Sequence, residues 1–161
     1  MKLNVYGLTD IGRKRDRNED SFLVDEKIRF FIVADGMGGH LGGDHASQMA
    51  VKTCREVLKK FREERPGERE RATEEVAAEL KEAIRTASRQ IFREANRVQT
   101  LSGMGTTVVA LLIEEDRGYV VNVGDSRAYL IRGSEIHQMT VDHSLVTEQL
   151  QAGFITQEEV R

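Results

Sequence analysis

Disulfide chemistry within the chain is excluded, because the sequence holds a single cysteine, Cys54. A reducing compartment, the cytoplasm, is therefore the expected home. Long apolar runs are missing too. The most extended, Phe30 to Ala34 and Thr107 to Ile113, fall far short of the ~20 residues a membrane span needs. The opening residues MKLNVYGL show neither an apolar signal core nor a small-residue cleavage site. Nor is there a basic surplus: the net charge of −3 argues against a nucleic-acid binder. Neither membrane nor nucleic acid is an expected partner.

What remains is enough for one domain with a real core. The chain has 161 residues, 39% of them hydrophobic, plus 14 glycines. Charged residues make up 32% and crowd into Lys59 to Arg97, which reads as solvated helix surface. The pattern begins with strands. Leu3 to Asp10 alternates apolar and polar residues, and Ser21 to Asp25 with Arg29 to Ala34 predicts a β-hairpin turning at Glu26-Lys27. A helix is expected from about Asp44 to Arg62, carrying Ala46, Met49, Ala50, Thr53, Cys54, Val57, Leu58 and Phe61 at helical spacing. After the Pro66-Gly67 break, a second helix is expected from about Glu68 to Val98, with the stripe Val76, Leu80, Ala83, Ile84, Ala87, Ile91, Ala95 and Val98. Strands follow over Thr106 to Glu114, Gly118 to Gly124, Arg127 to Arg132 and Glu135 to Met139, and then a helical tail from Ser144 to Arg161. Strands, two helices, strands and a helix in that order predict an α+β fold built on antiparallel sheet rather than a parallel α/β one. No repeat, linker or internal domain boundary interrupts it.

The chemistry starts with Asn18-Glu19-Asp20 just before one strand and Asp35-Gly36 just after the next. A hairpin turning near Glu26 to Ile28 puts Asp35 opposite Glu19 or Asp20. Facing residues in an antiparallel pair lie roughly 4.5–5.5 Å apart, so three acidic side chains gather at one end of one hairpin. Carboxylates that close repel unless they are protonated or bridged by cations. Hard divalent ions such as Mg²⁺ or Mn²⁺ suit oxygen ligands. Taken singly, Asp-Gly is an ordinary turn and Asn-Glu-Asp an ordinary loop; the joint geometry is what points to metal. Arg15 lies within reach of the same mouth, and a guanidinium beside cations makes sense if a phosphate bridges them. Spacing alone does not choose among the cations of Arg13-Lys14-Arg15-Asp16-Arg17.

Other features weigh less. The glycines at 36, 38, 39, 42 and 43 precede a helix, but the Gly-Lys-Ser/Thr of a P-loop is absent, so tight backbone turns are the better reading. His40 and His45 have no third or fourth zinc ligand at a supporting spacing. Gly124-Asp125-Ser126-Arg127 alone is a tight turn. Thr106 and Thr107, at the start of a buried strand, read as structural.

Together these pieces resemble one family. Arg15-x-x-Asn-Glu-Asp, VADGMGGH (Val33 to His40), GMGTT (Gly103 to Thr107) and VGDSRAYL (Val123 to Leu130), in this order, are similar to the bacterial metal-dependent Ser/Thr protein phosphatases of type 2C, the PPM family. The resemblance covers essentially the whole chain. It implies a four-layer α-β-β-α sandwich, two antiparallel sheets flanked by helices, here incomplete at the C-terminus. It implies hydrolysis of phosphoserine and phosphothreonine by direct attack of metal-bound water, with two Mn²⁺ or Mg²⁺ ions and a third, looser one. Asp35 would bridge two ions and the Gly36 carbonyl would bind one. Glu19 and Asp20 would hold metal-bound waters, Asp125 the third ion, and Arg15 the substrate phosphate. Phosphorylated proteins, a Ser/Thr kinase among them, are the implied partners.

The sequence departs from the pattern in two places. Met37 stands where the eukaryotic branch has a histidine after Asp-Gly. The family's last two metal-binding aspartates, in Asp-Gly and Asp-Asn contexts, have no counterpart before Arg161. The segment from about 143 to 161 resembles the family's flap. One catalytic domain, represented by its N-terminal two-thirds, is the expectation, with weak metal binding and slow hydrolysis by this chain alone. Apolar sheet left uncovered would favour self-association. The alternative is a degenerate module that binds phosphoproteins or regulates without catalysis.

Overall fold

The computed structural model describes residues 2–38, 42–64 and 72–143. Its elements are β1 (Asp20–Asp25), β2 (Phe30–Met37), α1 (Gly42–Glu64), α2 (Thr73–Arg97), β3 (Gly105–Thr106), β4 (Val108–Glu114), β5 (Arg117–Val123), β6 (Tyr129–Arg132) and β7 (Glu135–Gln138), with a single 3₁₀ turn at Gln99–Leu101 after α2. Two antiparallel sheets result. One runs β1-β2-β4-β5 with β3 beside the end of β2, and the other is the β6-β7 hairpin.

Alternation along the strands decides which face is covered. Phe30, Ile32 and Ala34 of β2 and Val108, Ala110 and Leu112 of β4 are buried on one face, and the register sets Phe30 opposite Leu112 and Ile32 opposite Ala110. The helices close that face. α1 buries Ala46, Ala50, Cys54 and Leu58, and α2 buries Val76, Leu80, Ala83, Ala87 and Ile91. These are the apolar stripes expected at threes and fours. Polar links pin the layers together. The hydroxyls of Ser21 and Ser47 lie 3.0 Å apart, joining β1 to α1, and Thr53 Oγ1 donates to Gln90 Oε1 at 2.7 Å, joining the helices. On the opposite face Phe22 and Val33 are exposed, as are Tyr129, Ile131 and Ile136 of the small sheet.

Asp25, at the end of β1, is buried yet charged. Its Oδ1 accepts from the Lys27 and Ile28 amides, and its Oδ2 from Arg55 Nε at 2.7 Å. Burial pushes this carboxyl up, but the Arg55 guanidinium and the two amides together hold it below its ordinary value. Its contribution to stability is therefore present above the unfolded-state value and lost as pH falls through the folded one. Replacing Arg55 with alanine leaves that carboxylate short of a charged partner. Urea unfolding at pH 7 should show a loss of about 2 kcal/mol, shrinking as the pH is lowered and Asp25 protonates.

Among the described residues the structure differs from expectation at two points. Leu3 to Asp10 joins no sheet among the described residues. It passes β1, with Gly7 so close to the Phe22 ring that a Cβ there would stand 2.2 Å from it. The alternating pattern is real, but the segment meets β1 through side chains, Thr9 to Asp20 and Gly7 to the Phe22 ring, and not through a backbone ladder. The expected strand from Thr106 is broken at Thr107, whose hydroxyl takes over a ladder bond. The second helix begins at Thr73, with Ala72 extended, and its expected start (68–71), His40 and the expected tail helix and flap-like segment (144–161) lie outside the described residues. No described helix is long and apolar enough to cross a membrane.

Candidate metal and phosphate site

The hairpin register places Asp20 directly opposite Asp35. Facing residues of an antiparallel pair project from the same face, so the two carboxyl groups are neighbours. Burial raises the Asp35 pKa above its ordinary value. The Asp20 charge, a hydrogen bond shared between the two carboxyls and the Asp125 charge raise it further, while the Arg15 charge pulls the other way. Four of the residues expected to form a site thus act on one another.

Glu19 does not join the pair. Successive strand residues point to opposite faces, and the Glu19 carboxylate stands against Gly43 in the first turn of α1, where a Cβ would lie 2.6 Å from its Cδ. Unpaired amides and the helix dipole make that terminus favourable for negative charge. Two of the three expected acids thus stand face to face, and the third lies at the same end of the hairpin against the first turn of α1. Among the described residues no three His, Cys, Asp or Glu side chains form a ready metal cluster.

The backbone around the pair is held tightly. Gly36 N–H donates to Glu19 O at 3.1 Å. Asp35 N–H donates to Thr107 Oγ1 at 3.1 Å, and Asp35 O accepts from Thr107 N–H at 2.9 Å and from Thr106 Oγ1 at 3.0 Å. Thr9 Oγ1 donates to Asp20 Oδ2 at 3.3 Å and accepts from Asn18 Nδ2 at 2.8 Å. Thr9 left no signal in the sequence, since it sits in a segment that reads as strand.

The loop carrying Asp125 is fixed from behind. Arg127 Nε donates to both Asp142 oxygens at 2.9 and 3.0 Å. This pairing raises the arginine and lowers the aspartate. His143 N–H donates to Gly124 O at 2.9 Å. His45 lies near Glu94 of α2 and helps lower that carboxyl, though less than Arg97 does. An apolar groove of about 770 Å³ opens elsewhere, between α2 and the Met104 to Thr106 segment, and neither Asp20 nor Asp35 lines it.

Known proteins resemble this chain in sequence and in fold. The sequence model of the family described as Protein phosphatase 2C matches residues 12–160. The chain is 40% identical over 154 residues to the serine/threonine phosphatase stp of Listeria welshimeri, covering 94% of this chain and 59% of that protein. It is 38% identical over 160 residues to the protein phosphatase PhpP of Streptococcus pneumoniae, covering 98% and 62%. Among solved structures, the serine/threonine phosphatase of S. agalactiae superposes with a TM-score of 0.78 at 37% identity, covering 94% of this chain and 61% of that one. The catalytic domain of PstP in complex with 2 manganese ions superposes with a TM-score of 0.73 at 35% identity, covering 92% and 59%. The chain thus spans about 59% of the length of the first of these relatives.

Proposed function

This chain belongs to the protein phosphatase 2C family, and we propose that it carries the phosphate-handling half of a cytoplasmic enzyme that hydrolyses phosphoserine and phosphothreonine in proteins, a Ser/Thr kinase among them. The observation that carries the proposal is the facing pair Asp20 and Asp35 with Arg15 and Asp125 in electrostatic reach.

Two mutually repelling carboxyls, one with its proton held more tightly than usual, form a hard oxygen donor set that a divalent cation would relieve. To that extent the described residues fit Mn²⁺ or Mg²⁺. Asp20 and Asp35 would hold it, with Glu19, the Gly36 carbonyl and Asp125 contributing directly or through water. Such a cation supplies charge neutralisation at phosphoryl oxygens and a lowered pKa for water.

The remaining work belongs to the chain. Arg15 offers a planar fork to the phosphate oxygens and orients phosphorus over Asp35. Asp35, fixed through its own N–H and C=O, keeps its carboxyl at a constant place relative to Arg15. Water attacks phosphorus in line with the departing serine or threonine oxygen, so no phosphoenzyme forms. Cys54 takes no part, since it is buried in the core and burial pushes its thiol up to about 12. Uncatalysed phosphate-monoester hydrolysis is among the slowest reactions, and fixed charge aimed at the phosphoryl group is the means to speed it.

Phosphate release from a phosphothreonine peptide is the test. Release should depend on added Mn²⁺ and stop with EDTA. Arg15→Ala should lower kcat/KM roughly 100-fold, as expected for loss of charged hydrogen bonds to phosphate. No Mn²⁺-dependent release at all would sink the hydrolase reading. A second reading, phosphoprotein binding without turnover, is favoured by the lack of a three-ligand cluster among the described residues. It predicts peptide binding by calorimetry that needs Arg15 but yields no free phosphate.

A further inference from the structure

Thr107 sits where the β2–β4 ladder is interrupted. The register pairs Gly36 with Thr106 on one side and Val33 with Val109 on the other, so Asp35 and Thr107 face each other between them. Thr107 N–H makes the ordinary ladder bond to Asp35 O at 2.9 Å. The return bond goes elsewhere: Asp35 N–H donates to the Thr107 hydroxyl at 3.1 Å instead of the Thr107 carbonyl. That carbonyl lies 2.9 Å from Thr106 Oγ1, whose single proton is shared between it and Asp35 O. A side-chain hydroxyl has thus replaced a main-chain acceptor at the residue that bears the central carboxylate.

The same hydroxyl reaches the other wall of the site. Thr107 Oγ1 lies 2.6 Å from Ser126 Oγ, and Ser126 follows Asp125 directly. The Thr107 methyl is used as well. Gly124 adopts φ +96°, a conformation that favours glycine, and packs so closely that a Cβ on it would stand 2.7 Å from Thr107 Cγ2. Valine would keep the methyl contact and lose both hydroxyl bonds; serine would keep the hydroxyl and lose the methyl.

We infer that Thr107 is a positioning residue whose hydroxyl couples the backbone of Asp35 to the Asp125 loop through Ser126, fixing the separation of the two carboxylates that face the cation site. This rests on the cation reading given above. A hydroxyl is suited to the task because it accepts from the Asp35 amide and still shares its proton, or a second lone pair, with Ser126.

Two readouts test it in this chain. The first needs no metal: hydrogen exchange of the Asp35 amide. Thr107→Val should speed that exchange roughly tenfold, the worth of one hydrogen bond, while Thr107→Ser should leave it slow. The second is Mn²⁺ affinity by calorimetry. Thr107→Val should weaken it on the order of tenfold or more, the usual effect of losing a partner that orients a ligand, and Thr107→Ser should restore most of it. Ser126→Ala should weaken binding too, and adding it to Thr107→Val should cost little more. Thermal midpoints in EDTA for the valine and serine variants should be similar, which separates positioning from general damage. If Thr107→Val binds Mn²⁺ as wild type does while Asp35→Asn does not, the inference falls and the cation reading stands. If wild type binds no Mn²⁺, both fall. Fast Asp35 exchange in wild type also overturns the inference.

Discussion

Replacing Asp35 with asparagine should abolish Mn²⁺ binding and, with metal removed, make the protein more stable at neutral pH. The two effects share one cause. In the fold, burial, the facing Asp20 and the Asp125 charge raise the Asp35 pKa above its ordinary 3.8. A carboxyl whose folded value lies above its unfolded value binds more protons folded than unfolded. Its contribution to stability is full below the unfolded value and is lost as pH rises through the folded one. Metal-free wild type should therefore lose stability over that window, and Asp35→Asn, which carries no titrating group there, should not. The gain at pH 7 is expected to stay under about 1 kcal/mol, because water still reaches the group and screens it. Below the ordinary value the two proteins should converge.

Mn²⁺ should reverse the order. A ligand that binds only the folded state stabilises it in proportion to the logarithm of its concentration over Kd. Wild type should gain and Asp35→Asn should not, its affinity being lower by more than about 100-fold, beyond what loss of a merely orienting partner costs. Urea unfolding in EDTA and in excess Mn²⁺, across a pH series, reads both effects. A metal-free asparagine variant less stable than wild type at neutral pH would show that the carboxyls are not in conflict, and the argument for a cation would lose its footing.

Much of this was legible because periodicity and turn position are local. The hairpin turn fixed the Asp20–Asp35 register to within one residue, and the stripes from Ala46 to Leu58 and from Val76 to Ile91 marked the faces that the sheet covers. The contact of Glu19 with the first turn of α1 was not legible, because it depends on where α1 begins, which no strand pattern encodes. Thr9 and Thr107 escaped for a related reason. Thr9 lay in an alternating run and Thr107 at the start of a buried strand, and only the tertiary approach of Asn18, Asp20 and Ser126 turns their hydroxyls into connectors. The Leu3 to Asp10 pattern failed in the other direction: alternation states that a segment can pair, and this one meets β1 through side chains only.

Gly36 at the end of β2 and Gly43 at the start of α1 differ in what their missing side chains would meet, and that predicts a large contrast. A Cβ on Gly36 would stand 2.0 Å from Gly43 O, 2.4 Å from Gly43 C and 2.6 Å from Glu19 O. Every one of these is main chain, so nothing can swing aside. The start of α1 would have to withdraw from β2, and the bond from Gly36 N–H to Glu19 O would stretch with it. Gly36→Ala should therefore cost about 3 kcal/mol or more, at or beyond the upper end of ordinary overpacking. Gly43→Ala also meets atoms closer than 3.0 Å, 2.6 Å from Glu19 Cδ and 2.8 Å from its Oε2, but these are less close than those at Gly36 and belong to the end of a flexible side chain. That carboxylate can rotate away, so folding should lose about 1 kcal/mol or less. Urea unfolding of the two variants in EDTA compares them directly. Equal losses, or a greater loss for Gly43→Ala, would mean that the first turn of α1 does not press on the β2 backbone at Gly36. The close approach explains why glycine follows Asp35: the residue after the central carboxylate is where helix and strand backbones touch.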